Sequence, residues 1–295
     1  MSFWVITDSG LGGLSIAVRC FQMLEVTPKS AEGASGGELV YVNAVPHADR
    51  GYNAMATRDE RRETFRTLLR CVIRDLQPQG VFVACHSLSL FLPELDGEFE
   101  GLLDLRGMVE PTLELGRQVL AGTEDELVYF ATPSTVAEGV YRNALIAEHP
   151  EWAERVHQQA CPELASTISA DSNGDSARAL IKKFAKQALS GVAPEKSVCG
   201  ILSCTHFGYR ADFFRAALAE HWPNPSRILD PNEAAAMELT EMVGTPERFR
   251  FISPYQIPEF ERQTVSGFLN PVSALVAEGF RNGEVREEWS VEIQK

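Results

Sequence analysis

The sequence predicts an α/β fold, a parallel sheet with helices on both faces, and three observations carry that prediction. Short runs rich in β-branched or aromatic residues, at 3–7, 39–42, 81–84, 127–131, 198–202 and 227–229, alternate with stretches of helical periodicity, the order expected of βαβ units. Two of these runs lead into a cysteine followed by small hydroxylated or imidazole residues. Gly80-Val81-Phe82-Val83-Ala84 precedes Cys85-His86-Ser87, and Val198-Cys199-Gly200-Ile201-Leu202-Ser203 precedes Cys204-Thr205-His206. Finally, the 295 residues, 44% hydrophobic and 23% charged, have the composition of a globular chain with ample core for one large domain or two smaller ones.

Taken in order, Met1 to Ile6 lacks a basic start and runs into Asp8, so it reads as a first strand rather than a signal peptide. The stretch 29–38 is rich in Gly, Ser and Ala and reads as an exposed loop. Residues 57–76 form an amphipathic helix, with Phe65, Leu68, Leu69, Val72, Ile73 and Leu76 on one face and Arg and Glu on the other. Asp175 is placed to cap a second helix that buries Leu180, Ile181, Phe184 and Leu189 and stops at Gly191. Asp230-Pro231 reads as an N-cap with proline at the first helical position, ahead of Ala234, Ala235 and Met237. Beyond Gly244 the pattern weakens. Pro246, Pro254, Pro258 and Pro271 punctuate the tail, and only 272–280 looks helical.

The formal net charge of −14 comes with no basic cluster to offset it, which argues against nucleic acid or an anionic membrane as partner. No apolar run reaches the ~20 residues of a membrane span. Six cysteines, at 20, 71, 85, 161, 199 and 204, show no disulfide-framework spacing, so reduced thiols in a cytoplasmic protein are expected.

The loops carry the chemistry. Asp8-Ser9-Gly10-Leu11-Gly12-Gly13-Leu14-Ser15 follows the first strand and enters a helix. Ser15 stands where a dinucleotide fingerprint needs its third glycine, and no Gly-Lys-Ser/Thr follows for a P-loop. What remains is a tight turn, or a helix start whose N–H groups hold a carboxylate, with Asp8 at the strand end. Cys85 and Cys204 read in isolation as buried small hydrophobes. Placed equivalently in two similar units, they suit opposite faces of one substrate. His206 beside Cys204 favours the thiolate when protonated. His47, His149, His157 and His221 have no such neighbour and read as surface residues. Cys85, His86, Cys199, Cys204 and His206 are enough ligands for zinc, but no CxxC or HxxxH pair exists, so no metal is expected. No G-x-S-x-G elbow marks a serine hydrolase.

Together these segments resemble the aspartate/glutamate racemase superfamily, glutamate racemases most closely. The resemblance rests on the Asp8–Ser15 turn, Ala84-Cys85-His86-Ser87, Ala131-Thr132-Pro133-Ser134-Thr135-Val136, Ala160-Cys161-Pro162, Cys204-Thr205-His206 and Ile228-Leu229-Asp230-Pro231, in that order. It implies two pseudo-symmetric α/β domains with the active site in the interdomain cleft. The first would comprise 1–106 plus 213–295 and the second 107–212. It also implies cofactor-independent racemisation without pyridoxal phosphate. Cys85 and Cys204 would be acid and base, with Asp8 assisting the first thiol and His206 the second. Ser9, Gly51, His86, Ser87, Thr132, Thr135 and Thr205 would hold the amino and carboxylate groups of a small-molecule amino acid, and Arg50 could pair with a carboxylate. Peptidoglycan would consume D-glutamate as product, and a homodimer is left open.

This chain departs from the family at the residues that would define the substrate. His86 stands for the usual asparagine, Ser87 for threonine, Arg50-Gly51 for Tyr-Gly, and Ser169 for a supporting glutamate, and the tail is longer. Glutamate or a related acidic amino acid is the first expectation. Alternatives on the same fold are a hydantoin racemase or maleate isomerase reaction, or non-catalytic binding of a small acid.

Overall fold

The structure, a computed structural model, describes residues 3–26, 37–193, 195–244 and 246–293. The chain forms two compact units, Met1–Gly107 with Ala235–Lys295, and Met108–Ala234.

Ten strands are described: β1 (Phe3–Asp8), β2 (Gly37–Asn43), β3 (Gly80–Val83), β4 (Asp104–Gly107), β5 (Glu126–Ala131), β6 (Val156–Ala160), β7 (Val198–Ser203), β8 (Ser226–Leu229), β9 (Pro246–Ser253) and β10 (Glu284–Val285). The first unit holds a six-stranded sheet in the order β10-β9-β2-β1-β3-β4, and the second a four-stranded sheet in the order β6-β5-β7-β8. Every pairing is parallel. The expected helix-flanked parallel sheets are therefore present in both units. The four strands β2-β1-β3-β4 repeat the order of the second sheet: second, first, third, fourth in each case. In such a sheet the crossovers diverge between the first and third strands, and ligands bind at the carboxyl ends there.

Local chemistry explains most elements. The helix Arg58–Leu76 starts at Thr57, whose hydroxyl accepts the Glu60 N–H, and buries Phe65, Leu68, Leu69 and Val72. Its polar face carries ion pairs such as Arg62 and Arg58 to Glu94, and Arg66 to Glu98, surface contacts individually worth little. Asp230 accepts the Asn232 N–H at 3.1 Å at the start of the helix Pro231–Val243, as its place before proline predicts.

Several readings are corrected. Asp175 is the first helical residue of Asp175–Leu189, not its cap. The capping carboxylate is that of Asp171, which accepts the N–H groups of Gly174 and Ala177 at 2.9 and 3.0 Å, while Gly174 takes a left-handed φ of 81°. The loop expected over 29–38 falls outside the described residues as far as Gly36, and Gly37 and Glu38 already belong to β2. His157 is not a free surface residue. Its Nε2 lies 2.5 Å from the carboxylate of buried Glu126 on the neighbouring strand. Because β8 is hydrogen-bonded to β7, the chain stays in the second unit as far as Ala234.

The tail is structured. β9 inserts between β2 and β10 and buries Phe249, Phe251 and Ile252, and its proline is the first residue of the strand, a position that tolerates it. Helices follow at Glu259–Leu269, Ala274–Arg281 and Glu287–Ile293. The last carries Trp289, fully buried in the cluster with Phe65, Leu68, Leu69 and Val72, its indole N–H donating to Asp75 at 2.7 Å. No helix among the described residues is long and apolar enough to cross a membrane.

Trp289→Ala is expected to lower the unfolding free energy by about 3–5 kcal/mol, measured by urea denaturation. A loss below about 1 kcal/mol would show that the terminal helix does not contribute to the core.

Candidate active site

In the first unit, register places the chemistry. Thr7 pairs with Val83 and Asp8 with Asn43, so Asp8, Ser9, Ala84 and Cys85 leave the sheet at one level. Gly13 closes the loop after β1. A Cβ there would stand 2.8 Å from the Ala84 Cβ and 3.0 Å from the Asp8 Cβ, so only glycine lets the helix Leu14–Val26 begin this close to the sheet. The Gly13 N–H donates to Asp8 Oδ2 at 2.5 Å. The helix start thus holds the protein's own carboxylate, aimed beside Cys85.

Cys85 precedes the short helix His86–Ser89 and is 5% exposed. Its Sγ lies 3.0 Å from Ser9 Oγ and 3.3 Å from Ser87 Oγ. Burial first, and then the charge of Asp8, push the thiol up to about 12, against the opposing pull of hydrogen bonds from Ser87, Ser9 and the Leu88 backbone. Cys85 is therefore held as a neutral thiol in the unliganded protein. His86 is buried, and burial pulls it down to about 3, which keeps its imidazole neutral.

Gly51 lies at the start of the turn Tyr52–Ala54. Arg50, before it, is 61% exposed at its side chain and ion-paired with Glu60. Tyr52 is buried, and its hydroxyl has no hydrogen-bond partner among the described residues. The tail braces these loops. The Tyr41 hydroxyl donates to the Gly10 carbonyl at 2.8 Å, and its ring stacks on Phe251 of β9. The Asn43 amide donates to Ser253 Oγ at 3.2 Å while its oxygen accepts the Val45 N–H.

The second unit repeats the placement. Ala131 pairs with Ser203, so the next residues, Thr132 and Cys204, leave the first and third strands side by side, as Ser9 and Cys85 do. Thr132 caps the helix Pro133–Glu138, its Oγ1 3.0 Å from Thr135 Oγ1. Cys204 is 7% exposed and opens the 3-10 helix Thr205–Arg210, which carries buried Thr205 and half-buried His206. The helix Leu164–Ala170, with buried Ser169, packs on that turn.

A residue that the sequence did not single out fixes this turn. The Asn232 side chain, wholly buried, donates to the Thr205 carbonyl at 3.0 Å. Gly208 makes room for it, since a Cβ there would stand 2.6 Å from both Asn232 Nδ2 and Asp230 Oδ2. The only signal was its place just after the Asp-Pro cap. Among the described residues no group of three His, Cys, Asp or Glu gathers as a metal would require, and Cys199 lies in the apolar core.

Two measurements check these electrostatics. Asp8→Asn removes the negative charge beside Cys85 and is expected to make that thiol alkylate about tenfold faster at pH 9, read by mass spectrometry; an unchanged rate would dissociate Asp8 from the thiol. For His86 the folded value lies below the unfolded one, so the unfolded state takes up a proton first as pH falls through about 6.5 towards about 3. Stability should fall between pH 7 and pH 5 with a slope steeper by about one proton in the native protein than in His86→Asn. Parallel slopes in urea titrations would contradict the burial argument.

No protein-family profile matches the chain. Among curated proteins, a glutamate racemase of Phenylobacterium zucineum is 31% identical over 268 residues, covering 83% of this chain and 86% of the relative. One from Bifidobacterium animalis subsp. lactis is 29% identical over 241 residues, covering 79% and 81%. The crystal structure of glutamate racemase from Francisella tularensis subsp. tularensis in complex with D-glutamate superposes with a TM-score of 0.69 at 18% identity, covering 91% of this chain and 94% of that one; it shows the shared fold. With that identity sustained over most of both sequences, the chain belongs to the glutamate racemase family.

Proposed function

We propose that this protein is an amino-acid racemase acting on glutamate or a related acidic amino acid, with Cys85 and Cys204 as the acid/base pair. The observation that carries the reading is the repeated placement. In each unit a nearly buried thiol leaves the third strand of a sheet ordered second-first-third-fourth, level with a hydroxyl residue leaving the first strand. Family membership supports it, as does the D-glutamate bound by the Francisella structure.

Inversion at Cα needs a base on one face and an acid on the other. In one direction the Cys85 thiolate takes the Cα proton while the Cys204 thiol gives its own to the opposite face. The reverse reaction exchanges the roles. A thiol held near 12 gives a thiolate basic enough for so weak a carbon acid, but that thiolate is scarce at neutral pH. Asp8 is placed to take that proton: its transfer from sulfur to the carboxylate leaves a thiolate beside a neutral carboxyl, so that only one of the two groups carries a charge. The ammonium group of an arriving amino acid favours the same state. His206 plays the corresponding part for Cys204.

Ser9, Ser87, Thr132, Thr135 and Thr205 supply hydroxyl and backbone donors for the substrate's charged groups, and neutral His86 adds an imidazole. Fixed dipoles of this kind stabilise the carbanion-like transition state without solvent reorganisation. Arg50, engaged with Glu60, is not carried into this reading. With glutamate as substrate, D-glutamate is the product, and peptidoglycan synthesis is its consumer.

Proton NMR in D2O with a panel of L-amino acids tests the reading. Loss of the Cα–H signal, with circular dichroism decaying to zero, is expected for glutamate or aspartate. Cys85→Ser and Cys204→Ser should each reduce racemisation by about 10²–10⁴-fold while leaving the unfolding midpoint in place. Full activity in either variant would sink the two-thiol mechanism.

A further inference from the structure

Tyr52 is a polar group beside Cys85 whose hydroxyl the described contacts do not account for. Its side chain is 4% exposed and packs in the cluster that contains Cys85, Met55, Leu88 and Phe91. The hydroxyl is cut off from water and has no hydrogen-bond partner among the described residues. A buried phenol ordinarily finds one, because an orphaned hydroxyl forfeits the hydrogen bonds it made to water. Packing alone would be served as well by phenylalanine.

A second observation lies next to it in the chain. Gly51 has a φ of −74°, open to any residue, and a Cβ there would meet nothing within 4 Å. Neither backbone conformation nor packing asks for glycine here, so the stretch borders open space. Burial first, and any negative charge that forms on the Cys85 sulfur second, hold the Tyr52 phenol well above its ordinary value. It therefore stays protonated and remains a donor at any working pH.

We propose that Tyr52 is a substrate-contacting residue whose phenol donates a hydrogen bond to the α-carboxylate of the bound amino acid on the Cys85 side. The inference rests on the racemase reading and names a further group in that site. As the Cα proton passes to the thiolate, the C–H electron pair stays on the substrate and spreads into its carboxylate. Negative charge therefore grows on the oxygen that Tyr52 faces. The phenol keeps its own proton throughout. A donor so placed acts more strongly on the transition state than on the bound substrate.

The test is Tyr52→Phe in the full chain, assayed on the amino acid that the D2O panel identifies. We expect kcat to fall about tenfold to a hundredfold, with KM changed by less than about threefold. The unfolding midpoint should stay the same or rise, since the change removes an unsatisfied hydroxyl. Wild-type kcat in Tyr52→Phe overturns this proposal and leaves the racemase reading standing. A kcat loss matched by a lowered midpoint also overturns it and assigns Tyr52 to packing. A wild-type protein silent across the panel overturns both. A second measurement needs no variant activity. In native protein carrying 13Cζ-tyrosine, the Tyr52 resonance should shift on addition of D-glutamate, and a signal that does not move in a racemising enzyme would overturn the contact.

Discussion

The first half of the candidate site depends on how closely a helix can start above a sheet. Gly13 touches Ala84 and Asp8 at distances that leave no room for a side chain. This approach brings its N–H within 2.5 Å of the Asp8 carboxylate and leaves Asp8 facing Cys85, where its charge raises the thiol. Ser9, one residue on, reaches the same sulfur. Had the helix stood a methyl group further out, the carboxylate would have lost its donor and the thiol its fixed neighbour. Gly13 serves close packing, although the turn looks at first like a nucleotide motif.

Both sheets answer the problem of presenting a thiol in the same way. A parallel sheet cannot expose its central strands, so reactive groups have to sit where the strands end. Each unit puts a hydroxyl residue after its first strand and a cysteine after its third. The surroundings then diverge. Cys85 sits beside a carboxylate and a neutral, buried imidazole, whereas Cys204 opens a turn that carries a half-buried histidine and is tied down by Asn232. Similar backbones thus set two thiols in different surroundings, which suits the proposed exchange of acid and base roles between them.

Legibility in the sequence followed burial. The interior strands β1, β3, β5 and β7 were readable because both faces are covered, which makes them continuous apolar runs. The edge strands β4 and β6 were missed because Asp104-Leu105-Arg106-Gly107 and Val156-His157-Gln158-Gln159-Ala160 are polar and half exposed, and propensity is weak there. β9 was hidden by the prolines around it, although Phe249 and Phe251 alternate as a strand requires. The site cysteines stood out because each ends an apolar run. Asn232 and Tyr52 did not, since their roles come from one long-range carbonyl and from one missing partner, and neither leaves a local pattern.

The position of β9 has a consequence for how the chain is made. Residues 108–234 form a continuous unit and have all four of their strands once they are synthesised. The first unit does not. Its β2 lacks a neighbour on one side until Pro246–Ser253 has been added, and Trp289, later still in the chain, belongs to its core. During translation an apolar parallel strand would wait with an open edge while the second unit is made, a species prone to wrong pairing. Chains interrupted between Asn43 and Pro246 should therefore expose a strand edge that the folded protein covers.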